Sequence, residues 1–241
     1  VGGTTPYKDL EPYVELLTQH YSLLVYEPIG EHYDYIFKNE DINAVVNMYY
    51  VLLELTLPDG VNVSAFTGHC FGGEIAYRMA IKWTQNTGLK VPMVMLDVFW
   101  RVDPLHFDEE ALMKMLPQEL VDKYVNAIRS YAHAMHMYDK LGRQGVPPLH
   151  DGDVVLFRAT QVEPESPIMT EIYESAPQFK EAWCEVTSER SMDNAAFWRQ
   201  YYPDMEIYNM EAHHMSMLEK THAQKYVEWI DNYLKNHQSS K

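Results

Sequence analysis

Apolar residues along the chain follow two patterns, the 3.6-residue period of amphipathic helices and the short continuous runs of buried strands. The two patterns alternate along most of the sequence, with turn-forming residues between them. Because neighbouring parallel strands need crossover helices, this alternation predicts an α/β fold with a mostly parallel sheet flanked by helices. The predicted helices are 8–20, 41–57, 74–84 and 219–236, and the predicted strands are 22–26, 61–67, 91–96, 153–157 and 205–210.

A helical insertion interrupts this alternation. Between residues 101 and 149 the apolar spacing is almost wholly helical, with Pro117 at a first helical turn. The segment 158–202 is aromatic-rich and less regular. We therefore expect a single domain over 1–241 with an inserted helical lid at about 101–149. The chain starts at Val1 with neither a start methionine nor a signal peptide, so we expect the first strand of the sheet to be missing from this sequence.

Composition and charge narrow the class of protein. With 46% hydrophobic and 13% aromatic residues, the chain can bury a large core, which excludes a disordered chain or a disulfide-stapled miniprotein. A net charge of −16 argues against nucleic acid or an anionic membrane as partner. Two cysteines and no apolar run of about 18 residues argue against secretion and membrane spanning, and they favour the cytoplasm.

A glycine-rich turn carries the first candidate for chemistry. Residues 68–73, with the sequence GHCFGG, lie between a β-branched strand and an amphipathic helix. This is the context of a nucleophile elbow, in which a tight turn lifts the central side chain above the sheet. The nucleophile would be Cys70, and the N-terminus of the following helix favours its thiolate form.

A nucleophile of this kind needs a base, and an acid that orients the base, in the chain order nucleophile, acid, base. Asp97 follows the next predicted strand, so its side chain is expected at the strand end adjacent to Cys70. The base is expected after the last strand, where His213 and His214 stand side by side. The residues alone leave the choice between these two histidines open.

These segments resemble the thioesterase domains of nonribosomal peptide and polyketide synthetases, a branch of the α/β-hydrolases, over most of the chain. The sequence departs from the family pattern at Cys70, where the family has serine, and at Ala212, where it has glycine. The segment around Ala212 identifies His214 as the base. The similar segments are a Pro-x-Gly-Gly oxyanion loop at 1–3, a Gly-His-Ser-x-Gly-Gly elbow at 68–73, the Asp that ends the next strand at 97, a helical lid, and a Gly-x-His-x-x-Met-Leu segment at 212–218.

The resemblance implies a thioesterase that needs no bound cofactor. Its substrate would be an acyl or peptidyl chain on the 4'-phosphopantetheine arm of a carrier protein, and this chain would pass to Cys70. Asp97 would orient His214, and the backbone N–H groups of Phe71 and Val1 would form the oxyanion hole. His69 would only pack the turn. The residues expected to line the lid's substrate surface are Met113, Tyr131 and Met135, soft and aromatic side chains that suit an irregular acyl chain.

A cysteine nucleophile makes the acyl-enzyme a thioester, which stays reactive towards amines. We therefore expect release by cyclisation or aminolysis more than by hydrolysis.

Two other functions remain open. A dienelactone-hydrolase-like enzyme also resembles this chain in having a Gly-x-Cys-x-Gly elbow, and its acid would come from Glu163 or Glu165. A catalytically inactive binding module is the third possibility, although an intact set of Cys, Asp and His argues against it. The pairs His133 and His136, and His213 and His214, invite a metal interpretation, but both lack a third ligand with metal-site spacing, so we expect no metal.

Overall fold

The computed structural model describes residues 7–26, 42–98, 109–123, 148–161, 167–181 and 194–238. These residues form two compact units. The first unit contains the sheet and is assembled from three stretches of the chain, and the second contains the described helices at 109–123 and 167–181.

The core of the first unit is a parallel sheet of four strands among the described residues. The strand order is β1-β2-β3-β4, and every neighbouring pair is parallel, as the alternating pattern predicts. Buried side chains fill β1, β2 and most of β3, which is typical of a parallel sheet covered by helices. The strands are β1 (Phe66–His69), β2 (Met93–Leu96), β3 (Val154–Ala159) and β4 (Glu206–Met210).

Helices cover this sheet. The helices of the first unit are α1 (Tyr7–Thr18), α2 (Ile42–Thr56), α3 (Cys70–Thr87), α6 (Asn194–Arg199) and α7 (Lys220–Gln238). Helices α1 and α7 pack together over the β2 and β3 side chains Val94 and Val155, which are partners in the ladder. Helix α3 lies against β1 and β2, and α2 packs on α3. Helix α3 ends where Gly88, at φ 72°, donates its backbone N–H to the Thr84 carbonyl over 2.8 Å.

One strand prediction is wrong, and another places the start of its strand too early. The segment 22–26 has no strand structure, and the predicted strand at 61–67 begins only at Phe66. Leu24 and Val25 are 45% and 38% exposed, and both line an apolar cavity of about 380 Å³ together with residues 61–65. A strand needs a ladder partner as well as apolar side chains. Within the described part of the sheet, 22–26 has no such partner.

The second unit is helical over its described residues. It contains α4 (Glu109–Lys114), a helical segment at 118–123, α5 (Pro167–Ser175) and a helical segment at 177–181. Pro117 precedes the helical segment, and its carbonyl accepts the Leu120 and Val121 N–H groups. Pro117 therefore lies one position before the first helical turn, whereas the sequence pattern predicts it within that turn. The shared core contains Leu116, Leu120, Ile172, Ala176 and Phe179, with Met113 packed against it.

The segment 158–202, whose apolar pattern is less regular, contains the helices α5 and α6. Both helices are short, so the apolar period extends over too few residues to be distinguished from irregular structure. Across the described ranges, no helix combines the length and apolar character that crossing a bilayer requires.

A buried carboxyl group lies on α3, about one helical turn after Cys70. Glu74 is fully buried, and its Oε1 accepts a hydrogen bond of 2.7 Å from Arg78 Nε. Its Oε2 has no hydrogen-bond partner among the described residues. Burial raises the pKa of Glu74 from 4.5 to about 7, although Arg78 opposes this shift.

Replacing Glu74 with glutamine is expected to flatten the dependence of stability on pH. Because its folded pKa lies above its unfolded value, the folded protein binds the extra proton between pH 4.5 and 7, and stability falls as the pH rises through this range. In the wild type, this lowers the free energy of unfolding by about 3 kcal/mol. Urea unfolding at pH 5 and pH 8 measures it, with Glu54→Gln on the exposed side of α2 as the control. If the free energy of unfolding falls equally from pH 5 to pH 8 in Glu74→Gln and in wild type, the raised pKa of Glu74 is contradicted.

Candidate active site

The turn between β1 and α3 contains no loop residue. Strand β1 ends at His69, helix α3 begins at Cys70, and Cys70 has a φ of 53°. A non-glycine residue rarely adopts this left-handed conformation, and it is typical of strained functional positions. The turn thus holds the Cys70 side chain at the carboxyl edge of the sheet.

Glycines allow the strand and helix to approach each other this closely. A Cβ atom on Gly68 would lie 2.5 Å from the Gly72 carbonyl oxygen, and one on Gly73 would lie 2.1 Å from Val98 Cγ2. No side chain fits at such distances without a shift of the main chain or of Val98. The glycine pattern of the sequence therefore reflects the packing of α3 on β1.

Asp97 follows β2 directly and is almost completely buried, with 2% of its surface exposed. Its own φ is 47°, a second left-handed residue at this edge of the sheet. Its Oδ1 accepts the Ala159 backbone N–H over 3.1 Å and lies 3.4 Å from Asn194 Nδ2. These donors orient the carboxylate so that Oδ2 remains for another partner.

That partner is His214, which lies between β4 and the short 3₁₀ helix Ser216–Leu218. Its Nδ1–H donates to Asp97 Oδ2 over 2.7 Å, which leaves Nε2 for the Cys70 side chain. Burial lowers the pKa of His214, but the Cys70 charge and the hydrogen bonds to Asp97 and Cys70 outweigh this effect and raise the pKa to about 10. The arrangement therefore favours the protonated form of His214 beside Cys70.

The neighbouring histidine has a different environment. The backbone N–H of His213 donates to Ser216 Oγ over 3.0 Å, and the Ser216 N–H donates back to His213 Nδ1 over 3.3 Å. His213 thus stabilises the turn that carries His214. The structure brings His214, and not His213, to Asp97, and the resemblance identified the same residue.

The other predicted site residues lie in several places. Phe71 is buried in the first turn of α3, where backbone N–H groups form an anion-binding terminus. Met113 belongs to the second unit and packs on its core. Among the described residues no group of three potential metal ligands occurs. The predicted residues that lie outside the described ranges are Val1, Tyr131, Met135, His133, His136, Glu163 and Glu165.

Sequence reasoning missed two contacts of this site. Asn194 reaches Asp97 from the start of α6, and no spacing in the sequence links these two positions. His69 was expected only to pack the turn, but its ring Nε2 lies 2.9 Å from the His214 carbonyl oxygen. In the sequence, only the position of His69 next to Cys70 indicates that His69 could contact the site.

A parallel sheet with crossover helices, a strand-to-helix turn that presents a cysteine, and an aspartate and a histidine that follow later strands and meet at the same edge of the sheet are features of the α/β-hydrolase class. Within that class, the chain belongs to the thioesterase-domain family, whose model matches residues 2–234. It is therefore a hydrolase of the thioesterase class.

Three solved structures are similar to this chain. The NocB thioesterase domain, in a covalent complex with a fluorophosphonate nocardicin G analog, is 16% identical over 80% of this chain and 74% of its own, with a TM-score of 0.46. Human thioesterase 2 is 17% identical over 80% and 81%, with a TM-score of 0.47. The surfactin thioesterase domain SrfTE is 14% identical over 95% and 84%, with a TM-score of 0.46. No curated protein matches the chain.

Proposed function

We propose that this domain releases an acyl or peptidyl chain from the 4'-phosphopantetheine arm of a carrier protein through a thioester on Cys70. The observation that carries the proposal is the line of three groups at the sheet edge. Cys70 lies in a strained turn, and the pKa of His214 beside it is raised to about 10 by Cys70 and Asp97. A histidine held beside a cysteine in this way accepts the thiol proton and so activates the sulfur as a nucleophile.

The first step exchanges one thioester for another. The Cys70 thiolate attacks the substrate carbonyl carbon, and the carbonyl π electrons move onto oxygen. When the tetrahedral intermediate collapses, the bond from carbon to the pantetheine sulfur breaks, and the imidazolium of His214 protonates the departing thiolate. The acyl group is then bonded to Cys70 Sγ, and His214 is neutral.

The second step removes the chain from Cys70. Neutral His214 accepts a proton from an amine of the same chain, another amine or water as that nucleophile attacks the acyl carbon. The bond to Sγ breaks, and the thiolate is restored beside an imidazolium. Asp97 holds His214 in the required tautomer through both steps, because Nδ1–H donates to it over 2.7 Å. We propose that cyclisation or aminolysis dominates over hydrolysis, since the thioester retains its reactivity towards amines.

The oxyanion of both intermediates needs hydrogen-bond donors. We assign this role to the backbone N–H groups of Phe71 and Val1, each worth about 3 to 4 kcal/mol in a well-formed site. The lid residues Met113, Tyr131 and Met135 are proposed to contact the acyl chain. No step requires a metal or a cofactor of the domain itself. Because a catalytic thiol must stay reduced, we also propose a cytoplasmic location.

Intact-protein mass spectrometry after incubation with an acyl-pantetheine thioester tests this function. Wild type is expected to gain the mass of one acyl group, Cys70→Ala is expected to gain none, and His214→Ala is expected to form the adduct slowly. Cys184→Ala serves as the matched control, since it removes the other cysteine of the chain and should leave the adduct unchanged.

Three results would contradict the proposal. If several thioesters give no adduct but a lactone or a simple ester is turned over, the enzyme is of the dienelactone-hydrolase-like kind. If none of these substrates reacts, the domain is a binding module. An adduct that persists in Cys70→Ala would overturn the assignment of the nucleophile.

A further inference from the structure

His69 is the last residue of β1 and the neighbour of Cys70 in the chain. The residue is 1% exposed, and its imidazole lies against that of His214, with ring centroids 4.2 Å apart and 37° between the planes. Its Nε2–H also donates a hydrogen bond of 2.9 Å to the main-chain carbonyl of His214. The ring of His69 therefore contacts both the ring and the main chain of His214.

We propose that His69 is a positioning residue, which sets His214 against Cys70 by holding the carbonyl and one ring face of His214. This inference rests on the function proposed above. It adds that the position of the base, His214, depends on β1, the strand that ends just before Cys70.

The hydrogen bond shows which ring nitrogen of His69 carries a proton. A carbonyl oxygen only accepts, so Nε2 carries the proton in this contact. Burial, followed by the charge of His214, lowers the pKa of His69 well below its usual range. His69 is therefore a neutral ring beside the imidazolium of His214. It supplies a donor and a flat surface without adding a second positive charge to the site.

The contact with His69 complements the one with Asp97. His69 and Leu96 are partners in the ladder between β1 and β2, so His69 and Asp97 lie at adjacent strand ends. Asp97 holds the Nδ1 edge of the His214 ring over 2.7 Å, while His69 holds the backbone behind that ring. Two fixed points define the orientation of a side chain better than one, and small displacements of a catalytic base are costly.

The test separates the hydrogen bond from the packing. In His69→Phe an aromatic ring remains but the donor is lost, whereas in His69→Gln an N–H donor remains but the ring is lost. His150 offers a matched control, because it is also buried and its Nε2 also donates to a main-chain carbonyl, that of Val91 over 2.7 Å. His150 and Val91 precede β3 and β2, so this contact lies at the opposite edge of the sheet from Cys70.

Two rates are measured for each variant at pH 7, together with thermal stability. Turnover of an acyl-pantetheine thioester gives kcat and KM, and peptide mapping by mass spectrometry gives the rate at which iodoacetamide alkylates Cys70. We expect His69→Phe to lower both kcat and the alkylation rate about 3- to 10-fold with KM nearly unchanged. His69→Gln should recover about half or more of both rates, and His150→Phe should lose stability but neither rate.

Equal rates in His69→Phe and wild type would overturn the inference. So would a loss of rate that follows thermal stability alike in the His69 and His150 variants, because that pattern indicates only packing. Alkylation does not depend on a thioester substrate. If wild type fails to turn over any thioester, the proposed function fails, and the alkylation rates still decide whether His69 positions His214.

Discussion

Replacing Asp97 with asparagine is expected to lower kcat/KM about 1,000-fold without unfolding the protein. The amide oxygen of asparagine can still accept the Ala159 N–H and the Asn194 amide, the two donors that now face Oδ1. This orientation turns the new NH₂ group towards His214 Nδ1, in place of Oδ2. His214 would then accept at Nδ1 and carry its proton on Nε2, the tautomer that cannot take a proton from Cys70 or from the second nucleophile.

Steady-state turnover of an acyl-pantetheine thioester measures this loss. Asp151→Asn is the matched control, because Asp151 is an exposed aspartate that pairs with Lys90. Glu163→Gln and Glu165→Gln should retain the wild-type rate, since the dienelactone-hydrolase-like alternative is the one that needs them. A large loss in either glutamate variant, with Asp97→Asn nearly active, would transfer the role of the acid and favour that alternative.

The sequence predicts the three main residues of the site, but not the contacts that hold them in place. Cys70, Asp97 and His214 each follow a strand, and the carboxyl ends of parallel strands meet at one edge, so the topology places all three residues at that edge. Strand β4 lies two strands away from β2, so His214 reaches Asp97 through the segment that follows β4. The choice of His214 over His213 needed the family resemblance. The structure shows its physical basis, since Ser216 engages His213 and Asp97 engages His214.

Contacts that depend on tertiary packing were not predictable from the pattern. Asn194 reaches Asp97 because α6 lies against β3, and a single asparagine carries no periodicity that would indicate this contact. The segment 22–26 shows the opposite case, an apolar run with no ladder partner among the described strands. Apolar periodicity records burial, whereas strand formation also depends on which backbone lies alongside.

Replacing Cys70 with serine is expected to shift product release from cyclisation towards hydrolysis by about 10- to 100-fold, or roughly 1.4 to 2.7 kcal/mol between the two barriers. An amine that attacks a thioester forms an intermediate from which the thiolate departs readily, because a thiol has a pKa of about 8.5. From an oxoester the alkoxide is the poorer leaving group, so the amine is expelled instead. Hydroxide suffers less from this change, since hydroxide and alkoxide leave with similar ease.

The measurement uses a peptidyl-pantetheine thioester with a free terminal amine, and the cyclic and linear products are separated by mass. An N-acetylated form of the same substrate can only be hydrolysed, so its rate shows how much the substitution affects the chemistry in general. Cys184→Ser makes the same exchange elsewhere in the chain and should leave the product ratio unchanged. A constant ratio in Cys70→Ser would mean that the geometry of the lid, and not the sulfur, selects the nucleophile. The preference for amines would then no longer follow from the presence of a cysteine at the elbow.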